Sequence, residues 1–111
     1  MQFTTIKETS EQLKNKKISI KELIDVFIDR INNNLDLNTY IYFNKENIHE
    51  QVTSHFDKES SLNGIPLAIK DLFCTKSMPT TAGSKILKDF HPPYESFVTQ
   101  KLLNEGAIFL G

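Results

Sequence analysis

Apolar residues recur at helical spacing in the first third of the chain, most clearly between Ser19 and Asn32. Ile20, Leu23, Ile24, Phe27, Ile28 and Ile31 follow at three- and four-residue steps and form one stripe. Lys21, Glu22, Asp25, Asp29 and Arg30 take the other face. Ser19 and Glu22 have capping-box spacing, in which each side chain satisfies the other residue's backbone N–H. Asn32-Asn33-Asn34 predicts the end of this helix, because asparagine tolerates the left-handed conformation used there. Upstream, Thr5 and Glu8 repeat the box at the start of a shorter helix over Thr5–Lys16. Its apolar residues, Ile6 and Leu13, lie seven apart, so that helix must lean on other elements.

The pattern then changes period. Thr39-Tyr40-Ile41-Tyr42-Phe43 is β-branched and aromatic and predicts a strand. Asn44 is placed to cap a third helix carrying Ile48, Val52 and Phe56 at four-residue steps. Asn63-Gly64 marks a turn. A nearly continuous apolar run, Ile65 to Phe73, predicts a strand that begins near Leu67, after Pro66, with both faces covered. Thr80-Thr81-Ala82-Gly83-Ser84 reads as a loop, Lys85–Leu87 as a short helical turn, and His91-Pro92-Pro93-Tyr94 as a rigid connection. Glu95–Asn104, with Phe97, Val98, Lys101, Leu102 and Leu103, predicts a helix closed by Gly106. Ala107–Leu110 predicts a third strand. The alternation points to an α/β layer with helices covering a sheet, and with the N-terminal helices outside it. Three strands with two edges and an apolar terminus lead to an expectation of marginal stability and aggregation.

Composition narrows the function classes. With 111 residues and 12.8 kDa, the chain has the length of one domain. Thirteen basic and fourteen acidic residues give a net charge of −1, which excludes a strongly basic nucleic-acid surface and an acidic tail. The Lys16-Lys17-Ile18-Ser19 junction superficially resembles a helix-turn-helix. Its second helix, however, offers Lys21, Glu22 and Asp25 where base-reading side chains belong. One cysteine, Cys74, excludes an internal disulfide framework, and His49, His55 and His91 lack zinc-motif spacing. No apolar run is long enough for a signal peptide or a membrane span. The expectation is a reduced, soluble, cytoplasmic protein.

One residue departs from this ordinary picture. Lys70 interrupts an apolar strand at a point where a core residue is expected. A buried ammonium is costly, so such a lysine either finds a partner or gives up its proton more easily, as a general base must. The alternative is that Lys70 ends the strand and turns to solvent. Asp71 points to the opposite face and is placed to cap or orient the loop that follows. Thr80, Thr81 and Ser84 put three hydroxyls in a glycine-containing loop able to hold a carbonyl or an amine, or serving as a plain polar turn. Gly83-Ser84-Lys85 is not a P-loop, because the upstream glycine is missing and Ile86 stands where Ser or Thr is needed. Cys74 has no activating neighbour in sequence and reads as a packing residue.

Leu62-Asn63-Gly64-Ile65-Pro66-Leu67-Ala68-Ile69-Lys70-Asp71 resembles the first motif of the amidase signature family. The continuation is similar to one branch of that family, the A subunits of the Asp/Glu-tRNA amidotransferases. Cys74-Thr75, Thr80-Thr81 with Ser84, Pro92-Pro93-Tyr94, and a helix ending in Gly106-Ala107 appear in the family's order. The helix opened by Ser19 also matches. Ser77-Met78-Pro79 departs from the family's usual pattern.

The resemblance implies that residues 1–111 are the N-terminal part of one amidase domain. Residues 1–38 would form a helical layer, and 39–111 the first strands and helices of an α/β core whose sheet is mixed. It implies a Ser–cis-Ser–Lys triad that hydrolyses glutamine, with Lys70 as general base and acid. Ammonia would pass to a B subunit, where Glu-tRNA(Gln) or Asp-tRNA(Asn) is amidated. ATP and magnesium would enter through that subunit, and a C subunit would hold the other two together. In that family the glycine- and serine-rich segment carrying both serines lies beyond the position of Gly111. None of Ser54, Ser60, Ser61, Ser77, Ser84 or Ser96 matches it. The expectation is therefore that this chain alone does not hydrolyse glutamine. A general small-amide amidase and a non-catalytic truncated remnant are the alternatives.

Overall fold

Two short parallel strands, brought together from distant parts of the chain, organise the molecule. The computed structural model describes residues 5–111. Residues 1–4 of the expected helical layer lie outside the described residues. The order is α1 (Ile6–Lys14), α2 (Ile20–Asn32), α3 (Lys45–Thr53), β1 (Pro66–Leu67), α4 (Phe97–Asn104) and β2 (Ile108–Phe109), with short 3-10 turns at Leu35–Leu37 and Lys85–Leu87. The α/β class holds, and the described sheet consists of β1 and β2 in parallel.

The helix starts follow local chemistry. The Ser19 hydroxyl accepts from the Glu22 N–H at 3.2 Å, and the Glu22 carboxylate accepts from the Ser19 N–H at 2.9 Å. Thr5, Asn44 and Ser96 cap the other three α-helices with side-chain oxygens. The helix ends are less faithful to expectation. Asn33 closes α2 in right-handed geometry, and the left-handed residue is Asn38, after the 3-10 turn. In α3 the helix stops at Thr53, where Ser54 turns its hydroxyl back onto the Glu50 carbonyl at 2.8 Å. Phe56 therefore falls outside the helix and is exposed.

The stripe on α2 packs inward. Leu23 and Ile24 are fully buried, and Ile24 and Ile28 join Ile48 of α3 with Ile108 and Leu110 in one cluster. Phe27, Ile31, Tyr40 and Phe43 border it. Ala107 and Phe109 face the other way, onto Met78, Leu67, Leu102 and Leu103. The Ala107–Leu110 run is wholly apolar because both of its faces are covered. Each fully buried large side chain contributes about 1.5–3 kcal/mol. In α1, by contrast, the buried residues are Thr9 and Ser10, while Ile6 is half exposed. In α4 the buried residue is Thr99, whereas Phe97 is 76% exposed.

The backbone ladder is longer than the formal strands. Gly64 N–H donates to Gly106 O, Ile108 N–H to Ile65 O, Leu110 N–H to Leu67 O and Ile69 N–H to Gly111 O, at 2.8–2.9 Å. The other edge of β2 is closed by a side chain. The Gln51 amide accepts from Phe109 N–H at 2.8 Å and donates to Phe109 O at 2.9 Å, as a neighbouring strand would. The expected exposed apolar edge at Ile108–Leu110 is thus buried and hydrogen-bonded on both sides. Gly64, at φ +72°, lies where a Cβ would stand 2.6 Å from Ile20 Cγ1, so the Asn63-Gly64 turn demands glycine on two grounds.

Thr39–Phe43 is not a strand. It makes no backbone ladder, while Tyr40 and Phe43 pack on one cluster and Tyr42 on the other. Its β-branched and aromatic residues suit a half-buried pleated surface, but pairing needs a partner that no described segment provides. Between α2 and α3, His49 Nε2 lies 3.1 Å from Asp25 Oδ1, and Lys21 pairs with the same carboxylate at 2.7 Å. Among the described residues, no helix is long and apolar enough to cross a membrane.

Candidate functional site

The ladder ends where the chemistry begins. Past Ile69 the chain leaves the sheet and folds into a tight turn, with the Lys70 carbonyl accepting from Leu72 N–H at 2.7 Å and Phe73 N–H at 3.0 Å. Lys70 is exposed, and among the described residues its ammonium makes no ion pair or hydrogen bond. The solvent-facing alternative is the one realised: the strand is too short to carry Lys70 into the core.

Asp71, the next residue, does the opposite and turns onto the Thr80–Ser84 loop. Its Oδ1 accepts from Thr81 N–H at 2.6 Å, and its Oδ2 accepts from the Thr81 hydroxyl and from Gly83 N–H at 3.2 Å. Its carbonyl accepts from Ala82 N–H at 2.7 Å. Burial pushes the Asp71 carboxyl up, but the Thr81 hydroxyl and the Thr81 and Gly83 N–H groups outweigh it and hold it below its ordinary value. The loop's donors therefore hold this carboxylate, not a carbonyl or an amine.

A second carboxylate holds the next loop. Glu95 Oε1 accepts from the Thr75 hydroxyl at 2.9 Å and from Lys76 N–H at 2.7 Å, and Oε2 accepts from the Thr99 hydroxyl at 2.7 Å. The Cys74 carbonyl accepts from Ser96 N–H at 2.7 Å and lies 2.9 Å from Thr99 Oγ1. Thr75 and Thr99 are fully buried, and the half-buried Cys74 is a free thiol. Sequence reasoning gives Glu95 and Thr99 no such role. Glu95 precedes the Ser96 cap, and Thr99 is one of several polar residues on α4, so neither stands out in the sequence.

These segments wall a cleft of about 420 Å³. Lys70 and Asp71 line it together with Met78, Pro79, Thr80, Tyr40 and Tyr42. Gly111 also lines it, packed so tightly that a Cβ there would collide with the Tyr42 carbonyl and the Tyr40 ring. Five of the six serines weighed above have other roles, and the sixth, Ser61, is exposed and does not line the cleft. Ser54 sits on a helix end, Ser84 and Ser96 cap helices, Ser60 accepts from Leu62 N–H, and Ser77 lies 3.3 Å from the Thr75 hydroxyl. None of these meets Lys70. Gly83 N–H is already committed to Asp71, so Gly83-Ser84-Lys85 offers no phosphate cradle. No three of the described His, Cys, Asp and Glu side chains gather as metal ligands.

The amidase family model matches residues 22–111, which include the whole of this cleft. The chain belongs to the amidase family. Among its relatives, the A subunit of the glutamyl-tRNA(Gln) amidotransferase of Pelagibacter ubique (strain HTCC1062) is 51% identical over 111 residues, covering 96% of this chain and 23% of that protein. The corresponding protein from Prochlorococcus marinus (strain NATL2A), which bears the same name, is 46% identical over 116 residues, covering 96% of this chain and 24% of that one. The crystal structure of an amidase family protein from Bacillus anthracis superposes with a TM-score of 0.86 at 30% identity. That match covers 97% of this chain and 23% of the other. This amidase chain thus spans 23–24% of the length of these curated relatives.

Proposed function

We propose that this chain is the N-terminal part of a glutamine-hydrolysing subunit. That subunit supplies ammonia for converting Glu-tRNA(Gln) to Gln-tRNA(Gln), Asp-tRNA(Asn) to Asn-tRNA(Asn), or both. The observation that carries the reading is Lys70, a cleft-wall lysine whose side chain has no partner among the described residues, in a segment that matches the amidase family. The 51%-identical relative, named for a tRNA amidotransferase, supports the substrate class.

In this reading a serine contributed by another part of the protein attacks the amide carbon of glutamine. A second serine takes the nucleophile's proton and passes it to Lys70. The proton returns to the departing nitrogen as ammonia leaves, and water then releases glutamate from the acyl-enzyme. ATP and magnesium are assigned in this reading to the B subunit, with a C subunit joining the pair. The 111-residue chain alone, lacking a Ser–Lys pair among the described residues, is expected to be inactive.

The test uses the intact protein with its B and C subunits. Glutamine-dependent amidation of Glu-tRNA(Gln) or Asp-tRNA(Asn) is measured, with Lys70→Ala alongside. The variant should lose glutamine-dependent product and keep ammonium-driven product. Failure of the intact protein to support either amidation overturns the tRNA role. It would favour the small-amide amidase reading. Lys70-dependent glutamine hydrolysis by the isolated chain would overturn the expected inactivity.

A further inference from the structure

We propose that Asp71 is a positioning residue for Lys70: its carboxylate latches the two loop walls of the cleft together and so fixes the backbone from which the lysine reaches. This rests on the reading of Lys70 as the general base. A lysine side chain is long and mobile, and placing its amine depends first on holding its Cα. The structure holds that Cα from both sides. On the N-terminal side, Ile69 N–H is tied to Gly111 O at 2.8 Å, the last rung of the ladder. On the C-terminal side, four hydrogen bonds run from Thr81, Ala82 and Gly83 to Asp71, two of them from main-chain N–H groups to the carboxylate and one from Ala82 N–H to the carbonyl. Lys70 and Thr80 line the same cleft from these two walls.

The loop also adopts a conformation that needs such a clasp. Ala82 is left-handed at φ 48° and Gly83 at φ 67°. A non-glycine residue holds that geometry only where its surroundings over-determine it, and strain of this kind collects at functional sites. The left-handed pair turns three successive N–H groups, from Thr81 to Gly83, toward one residue. Asp71 is therefore bound by its neighbours in space while Lys70, one position earlier, stays free to take and return the nucleophile's proton.

The experiment compares four variants of the intact protein by glutamine hydrolysis, with melting curves for each. Lys70→Ala is the control for the underlying reading. Asp71→Asn keeps the size of the side chain but weakens its acceptors, and should lower kcat about 10- to 100-fold with KM for glutamine nearly unchanged, as expected when a catalytic group is displaced by about an ångström. Thr81→Val removes only the hydroxyl bond and should lower kcat by a smaller factor, which Thr81→Ser restores. If Lys70→Ala hydrolyses glutamine normally, the proposed function fails and the positioning role falls with it. If Lys70→Ala is dead while folded Asp71→Asn retains wild-type kcat, the proposed function stands and the latch is refuted. Should Asp71→Asn fail to fold, the threonine pair decides: wild-type kcat in Thr81→Val refutes the latch, and a kcat loss rescued by serine supports it.

Discussion

Two regions of this molecule are held together by different physics. Beneath α2 and α3, Ile24, Ile28, Ile48, Ile108 and Leu110 form a cluster whose cohesion is area removed from water. Around the cleft, from Lys70 to Ser84, three of the four buried side chains, Thr75, Thr80 and Thr81, carry hydroxyls, and the segments are joined by directional bonds onto Asp71 and Glu95. The first region tolerates small changes of angle because apolar contact is not directional. The second has few contacts, each of which fixes a position, and that suits a wall that must hold a reactive lysine in place. β2 belongs to both. Ile108 and Leu110 face the apolar cluster, while Phe109 faces Met78 and the loop side.

The largest effect should come from that shared strand. Phe109→Ala should cost about 3–5 kcal/mol, because Phe109 is fully buried and its removal leaves a cavity bordered by both regions. Chemical denaturation of the variant measures this. A loss below about 1 kcal/mol would mean that the regions do not share a core through β2.

Acid should separate the regions. The Asp71 carboxyl titrates below its ordinary value in the folded chain, so its contribution is complete above the unfolded value and is lost as pH falls through the folded one. The amide protons of Thr81 and Gly83 should shift and lose exchange protection through that acid window, while those of Ile24 and Ile28 remain protected. Loss of protection in both sets together would show a single cooperative unit with no separate loop wall.

The smallest effect tests the local capping chemistry that starts the apolar region. Ser19→Ala removes the Glu22 N–H acceptor and should cost about 1 kcal/mol by thermal denaturation, with the cleft unchanged. A perturbation of the Thr81 and Gly83 amides in that variant would connect the two regions more tightly than the contacts show.

Legibility in the chain follows this same division. Helix starts at Thr5, Ser19, Asn44 and Ser96 depend on a side chain bonding a backbone N–H three residues on, and three of these four, at Thr5, Ser19 and Asn44, are expected from spacing. The α2 stripe packs on the body because its period matches the helix. The strand expected at Thr39–Phe43 does not form, because strand propensity reports a surface preference and not the presence of a partner. In α4 the apolar residues suggest the buried face, yet Thr99 is buried, its hydroxyl satisfied by Glu95.

Local sequence alone accounts for the helices, three of their four N-terminal caps, the apolar face of α2, the turn at Gly64 and the oddity of Lys70. These follow from interactions within a few residues, or from a repeat that matches an element's own period. Long-range folding, by contrast, is what sets Asp71 on Thr81 and Gly83, Glu95 on Thr75, and Gln51 in the place of a strand beside Phe109. Those pairs are separated by 10, 12, 20 and 58 residues. A hydrogen bond between polar groups so far apart leaves no periodic trace in the chain, because its geometry exists only after the apolar clusters have brought the segments together.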